Sequence, residues 1–254
     1  MTLLPQERYN DLLLQLKEQK MIKVEEIMAR YQISIETARR DLTALEKLGK
    51  IKKIYGGAAL VEENLYESAA DVRLMEHEEE KVRIGKKCSE FIHDGDAILL
   101  EIGTTTLQVA RHIKQRKNLT VITNSIYIVN ELIGTNIDLY VIGGKIRHEE
   151  KALSGAISTS EIENFNISKA IIGAGAVTAQ NGISDYNIEE ALIRKKIIAR
   201  AKETYLVADH SKFGFDSLVN VCPITSLDLI ITDSGLSPEE TEAFHRQGAN
   251  LIVV

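Results

Sequence analysis

The sequence lacks the marks of a secreted, membrane-spanning or metal-stapled protein. It holds 2 cysteines, Cys88 and Cys222, with no Cys-x-x-Cys or Cys/His spacing. Neither a disulfide framework nor a zinc finger is expected, and both read as reduced core thiols. No apolar run approaches the roughly 18 residues of a membrane span. The first residues, Met1-Thr-Leu-Leu-Pro-Gln-Glu-Arg8, have neither the basic start nor the apolar core of a signal peptide. The cytoplasm is the expected location. The 6 histidines, His77, His93, His112, His148, His210 and His245, stand at no metal-ligand or catalytic spacing, so no metal, cofactor or catalytic residue is assigned. There is no internal repeat and no low-complexity tract.

What is present is an ordinary globular composition over 254 residues, with 44% apolar and 27% charged side chains. That length suits one large domain, or a small one followed by a medium one. The net charge of −6 is unevenly spread. Residues 1–58 hold 11 Lys/Arg against 8 Asp/Glu, a net of +3, and residues 59–254 hold 20 against 29, a net of −9. Six cations and three anions fall within 34–53. A locally basic head on an acidic body concentrates phosphate affinity in one place.

The helical period places Leu12, Leu13 and Leu16 on one face after Pro5, and Val24, Ile27, Met28 and Tyr31 on a second. Met21-Ile-Lys-Val24 is a short break between them. Gln32-Ile33 reads as a turn, Ser34 as an N-cap with Thr37 at the third helical position, and Gly49 as the C-terminal stop. Ile35, Ala38, Leu42, Leu45 and Leu48 should face inward. A two-strand ribbon, 51–55 and 58–61, completes a winged helix-turn-helix over residues 1–61. Residues 62–80 form a polar linker, ending in the run Glu76-His-Glu-Glu-Glu80. Strands are predicted over 97–102, 120–123, 138–142, 170–173, 204–207, 227–232 and 250–253, with helices over 105–115, 125–133, 187–201 and 238–247. That alternation predicts a mostly parallel α/β domain over 81–254, with helices on both faces of its sheet.

On the third helix, Glu36, Thr37, Arg39, Arg40 and Thr43 project opposite the leucine stripe, as on a recognition helix that meets base edges and phosphates. Lys50, Lys52 and Lys53 lie on or near the wing, and Gly56-Gly57 allows a sharp turn. From the pattern alone, a small bundle serving protein contacts competes, with Arg39 and Arg40 paired to Glu36 or Asp41. Further on, Glu101-Ile-Gly-Thr-Thr-Thr106 closes a strand and opens a helix, where free amides and hydroxyls suit an anion. Thr123-Asn124-Ser125, Gly143-Gly144-Lys-Ile-Arg147, Gly182-Ile-Ser-Asp185 and Asp209-His-Ser-Lys212 add polar loops near the ends of later strands. Such a group suits a small polar ligand.

The segment Ser34-Ile-Glu-Thr-Ala-Arg-Arg-Asp-Leu42, with Gly56-Gly-Ala58 after the wing, resembles the hallmark of the DeoR family of bacterial transcriptional regulators. Lys53 stands where Arg is usual and Tyr55 where His is usual, a change that retunes wing contacts. The resemblance implies DNA contacts from Ser34, Glu36, Thr37, Arg39, Arg40, Lys52, Lys53 and Tyr55. It extends over the second part, whose counterpart in the family is similar in fold to ribose-5-phosphate isomerase and senses phosphorylated sugars. It implies phosphate contacts from Gly103, Thr104, Thr105 and Thr106, with Asn124, Gly143, Gly144, Arg147, Asp185 and Lys212 near the rest of the ligand. Glu101 replaces the family's usual Asp before Gly-Thr-Thr and also belongs to the ligand set. The expectation is a homo-oligomeric repressor of a carbohydrate-utilisation operon, binding double-stranded operator DNA under a sugar phosphate's control. The alternative is an isomerase-like enzyme with an accessory DNA-binding head.

Overall fold

The computed structural model describes residues 5–19, 21–47, 50–54, 56–60 and 67–254. The chain divides into two units between Val72 and Arg73. The first contains α1 (Pro5–Gln19), β1 (Met21–Lys23), α2 (Val24–Tyr31), α3 (Ile35–Lys47), β2 (Ile51–Ile54) and β3 (Gly57–Leu60). Its wing has three strands in the order β1-β3-β2, not two. The break expected at 21–24 begins as a strand because Ile22 turns inward while Met21 and Lys23 face out, the period-2 alternation of a pleated segment.

Leu12, Leu16, Ile22, Ile27, Ala38, Leu42, Leu45, Ile51 and Ala58 form the core of this unit. Ile35 does not join them. It is 37% exposed at the first turn of α3, and Leu48 falls outside the described residues. Asp41 is buried instead, and its Oδ2 accepts from Arg8 Nε at 2.6 Å. That pair ties α1 to α3. Tyr31 ties α2 to α1 in the same way, donating to Asp11 at 2.7 Å and accepting from Gln15 at 2.6 Å.

The second unit runs α4 (Ala70–Arg73, shared with the boundary), α5 (Glu78–Ser89), β4 (Ala97–Leu100), α6 (Thr104–Ile113), β5 (Thr120–Thr123), α7 (Ile126–Leu132) and β6 (Asp138–Val141). There follow β7 (Lys145–Arg147), β8 (Ala152–Ser154), α8 (Ala156–Glu161), β9 (Ile167–Ile172), β10 (Ala176–Thr178), β11 (Gly182–Asp185) and α9 (Ile188–Arg200). The chain closes with β12 (Ala201–Val207), β13 (Val219–Cys222), β14 (Leu229–Thr232), α10 (Pro238–Arg246) and β15 (Leu251–Val253). Seven strands make one parallel sheet, in the order β15-β14-β12-β9-β4-β5-β6. Two smaller antiparallel sheets, β10-β11-β13 and β7-β8, had no clear period in the sequence.

Alternation explains why helices cover both sides of the main sheet. Ile98, Leu100, Val121, Ile171, Tyr205, Val207 and Ile231 face α5, α6 and α7 through Ile84, Cys88, Val109, Ile113 and Ile128. Leu99, Ile122, Ala170, Ile172, Leu206 and Ile230 face the other way, toward Ala191, Ile193 and Ile197 of α9 and Phe244 of α10. Strands buried on both faces read as continuous apolar runs. Glu78, Glu79 and Glu80, expected at the end of the linker, form the first turn of α5, where helix amides favour negative charge. The main sheet starts at β4 and builds outward in both directions, so the crevice between β4 and β9 is the topological switch point.

Removing one partner of a buried ion pair strands the other charge. Asp41→Ala should destabilise the N-terminal unit by roughly 3 kcal/mol, read as a lowered unfolding midpoint by circular dichroism. An unchanged midpoint would show that the Arg8–Asp41 pair does not hold α1 to α3.

Candidate nucleic-acid interface and effector site

Helix α3 starts where its capping residue dictates. The Thr37 amide donates to Ser34 Oγ at 3.2 Å, satisfying one of the orphan donors of the first turn. Glu36, also in that turn, is exposed, and its carboxyl is held below the usual range by its own backbone amide and the Ser34 side chain. Arg39 and Arg40 are exposed, and neither is held in an ion pair within this unit among the described residues. Pairing to Asp41 is excluded, because Asp41 points inward to Arg8. Lys53 is less free. Its Nζ lies 2.9 Å from Glu46, and it donates to Thr43 Oγ1 at 3.2 Å, docking the wing on α3. The Lys52 side chain and all of Tyr55 fall outside the described residues.

In the second unit, the switch point is bordered by Glu101, Gly103 and the first turn of α6. Gly103 has φ +150°, which L side chains rarely adopt, and as the N-cap residue of α6 it supplies no side-chain acceptor to the first turn. The Thr106 hydroxyl is committed to this turn, lying 2.7 Å from the Glu101 carbonyl and 2.9 Å from that of Gly103. Thr104 and Thr105 are nearly buried beside it. Asn124 stitches neighbouring loops together: its Oδ1 accepts from the Ile102 amide at 3.2 Å, and its Nδ2 donates to the Leu153 carbonyl at 3.2 Å.

Glu101 and Asp185 meet at a residue that sequence reasoning missed, Arg194 of α9. Arg194 Nε lies 2.8 Å from Glu101 Oε2, and Nη1 bonds Asp185 Oδ2. All three are buried. Burial pushes the Glu101 carboxyl up to about 7, with Arg194 opposing and Asp185 adding to the rise. Burial works against the Arg194 charge, but the two carboxylates more than reverse that and hold the guanidinium protonated. A visible signal for Arg194 was the charged pair Glu190 and Arg194, one helical turn apart among the buried Ala191, Ile193 and Ile197.

The remaining expected residues lie at and just before β7, and after β12. The Gly143 amide donates to Glu161 Oε2 at 2.6 Å. The neighbouring Ser158 hydroxyl donates to the Gly143 carbonyl at 2.5 Å. Gly144 lies against Ser154 and Ser158. Arg147 pairs with Glu190. Glu150, between the two strands, pairs with Arg73 and lends negative charge to the surroundings of Lys212. Burial and the charge on Arg73 push the Lys212 ammonium down to about 8, against the pull of Asp209, Glu150 and Glu76. The structure thus gathers Glu101, Gly103–Thr106, Asn124 and Asp185 around the ends of β4 and β5, and sets Lys212 in a second, densely charged cluster.

Residues 8–64 match the DeoR-like helix-turn-helix domain, and residues 76–234 match the DeoR C terminal sensor domain. The chain belongs to the DeoR family. It is similar to the HTH-type transcriptional repressor GlcR of Bacillus subtilis (strain 168), at 34% identity over 94% of this chain and 92% of that protein. It is also similar to the glycerol-3-phosphate regulon repressor of Escherichia coli (strain K12), at 29% identity over 90% of each chain. Among solved structures, ribose 5-phosphate isomerase A from Methanocaldococcus jannaschii is similar at a TM-score of 0.41 and 17% identity, over 54% of this chain and 55% of that one. This DeoR-family chain is a DNA-binding transcriptional regulator. Glu101 is enclosed and paired to Arg194.

A raised carboxyl pKa has a defined sign in stability. The folded chain keeps the Glu101 proton up to about pH 7, whereas the ordinary value is 4.5. Stability from this group is therefore present at low pH and lost as pH rises between those values. The melting temperature of the wild type relative to Glu101→Gln should fall by several degrees between about pH 5 and about pH 7.5. Parallel curves would remove Glu101 as a proton-linked group.

Proposed function

We propose that this regulator represses a carbohydrate-utilisation operon, with α3 in the major groove of operator DNA and a phosphorylated sugar at the α6 amino terminus as its signal. One observation carries the DNA reading: Asp41 is committed to Arg8, which leaves Arg39 and Arg40 exposed on the outward face. Ser34, Glu36 and Thr37 begin the same helix, and Lys52, Lys53 and Tyr55 supply the wing. The proposed division is a winged helix over 1–61, a linker over 62–80 and a sensor over 81–254. Arg73, Glu76 and His77 lie ahead of that sensor boundary but join its charged cluster.

The uncapped end of α6 supports the effector reading, since amides without a side-chain acceptor and a helix dipole favour an anion. Thr104 and Thr105 flank it, Asn124 and Glu101 adjoin it, and Gly143, Gly144, Arg147, Asp185 and Lys212 complete the proposed ligand set. The name of the Escherichia coli relative, a glycerol-3-phosphate regulon repressor, agrees with a phosphorylated small molecule. Control requires that the ligand bind the DNA-released form better than the DNA-bound form, a difference relayed through residues 62–93. A homo-oligomer in the cytoplasm is the form we expect to act. No helix among the described residues is long and apolar enough to cross a membrane.

Arg39→Ala and Arg40→Ala should each weaken binding to a duplex selected by the wild type by tenfold or more, about 1–3 kcal/mol, with an unchanged melting temperature. Fluorescence anisotropy at fixed salt reads this, and wild-type affinity in both variants would end the recognition-helix assignment. For the effector, a panel of phosphorylated sugars is screened by thermal shift. The stabilisation found with the wild type should vanish in Thr105→Asp, whose carboxylate repels the incoming phosphate; its survival would place the ligand elsewhere.

A further inference from the structure

Two histidines that the sequence leaves scattered come together in the sensor. His77 precedes α5, and His210 follows β12. Their rings meet edge to face, with centroids 4.7 Å apart and planes at 78°. Asp209 adds a buried carboxylate beside them, and one donor atom from each of His77, Asp209 and His210 lies within 4.8 Å of the other two. We propose that these three residues form a site for a divalent transition-metal ion of the zinc, cobalt or nickel class. Two imidazoles and a carboxylate suit those ions and leave open positions for water or another ligand.

The surroundings are arranged as such a site requires. His210 Nδ1 lies 2.8 Å from Asp233 Oδ2, and the His210 amide donates to Asp233 Oδ1 at 2.7 Å. A carboxylate on one ring nitrogen sets the tautomer that presents the other nitrogen's lone pair to a metal. The ring lies so close to Gly235 that a Cβ there would stand 2.4 Å from it, so its orientation is determined by backbone contact as well. Asp209 is similarly oriented, with Oδ1 accepting from the Ser211 amide at 3.1 Å and from the Ser211 hydroxyl. Two ammonium groups compete for this carboxylate: Lys81, which stands 4.0 Å away and donates to the carbonyls of Arg73 and Glu76, and Lys212, on which the Asp209 charge also pulls. His77 is the movable member. It is exposed and holds a left-handed backbone, φ +51°, an uncommon conformation for a non-glycine residue and one found at functional sites. A bound ion with bonds of about 2.0–2.1 Å requires donor separations of about 3.0–3.5 Å, so binding draws the three donors closer than the 4.8 Å within which they now lie. A bound ion would then clamp the start of α5 to the loop after β12.

The test uses the full-length chain, stripped with a chelator and titrated with zinc by calorimetry, with cobalt absorption as a second readout. The expected result is one ion per chain and a raised melting temperature. His77→Gly, which accepts the same backbone angle, should bind at least tenfold more weakly while melting like the metal-free wild type. Asp233→Asn should weaken binding by about 10–100-fold, and His93→Ala, a remote exposed histidine, should change nothing. Absence of saturable binding, or binding undiminished in His77→Gly, would overturn the proposal. If His77→Gly does not fold, His77→Asn, which also tolerates the left-handed region, is read by the same criterion.

Discussion

Arg194 is the constraint around which the sensor is built. A guanidinium removed from water carries a desolvation cost of several kcal/mol, which only close, well-oriented carboxylates offset. Glu101 and Asp185 supply them from the ends of two strands, β4 and β11, while Arg194 itself stands on α9. The three elements cannot shift independently without exposing a bare buried charge. Glu101 lies two residues before Gly103, so this ionic knot also sets where α6 begins and where its free amides point. Burial away from water, with the charge on Asp185 adding to it and Arg194 opposing, is why Glu101 gives up its proton so reluctantly.

A comparable division of roles governs the N-terminal unit. Arg39, Arg40 and Asp41 form one charged block in the sequence, but successive residues on an α-helix are turned about 100° from one another. Asp41 therefore shares the inward face with Ala38, Leu42 and Leu45, where Arg8 meets it, and the two arginines are left outside. The acidic member shapes the domain and the basic members remain available to a polyanion. The wing is held to the same helix by Lys53, which bonds both Glu46 and Thr43, so α3 and β2 are tied together.

The long apolar strands and capped helices are legible in the sequence. Thr120–Thr123 is a strand as expected, and the helices at 126–132, 188–200 and 238–246 fall within two residues of the expected limits. The short antiparallel strands are not legible, since three or four residues such as Lys145–Arg147 or Ala176–Thr178 carry too little alternation to register. Among the site residues, the Gly-Thr-Thr-Thr turn is visible because glycine, hydroxyls and a following helical period sit side by side. Lys81 and Glu150 are hidden, for their importance lies in burial and in partners far along the chain, whereas Arg194 is signalled only by its place on the apolar face of α9. Ile35 is misplaced because a helical stripe does not reveal where core contact ends.

The sequence by itself determined the DeoR-family membership, the start of α3 at Ser34, and the parallel α/β order of the sensor. Each of these depends on residues a few positions apart, where backbone geometry and capping chemistry act directly. Tertiary structure alone decided which charge meets which: Asp41 with Arg8, Glu101 and Asp185 with Arg194, His77 with His210. Such pairings follow from the order in which strands enter the sheet and helices cross it. That order brings distant segments together through burial of apolar faces, and burial is indifferent to where a charged residue lies in the chain.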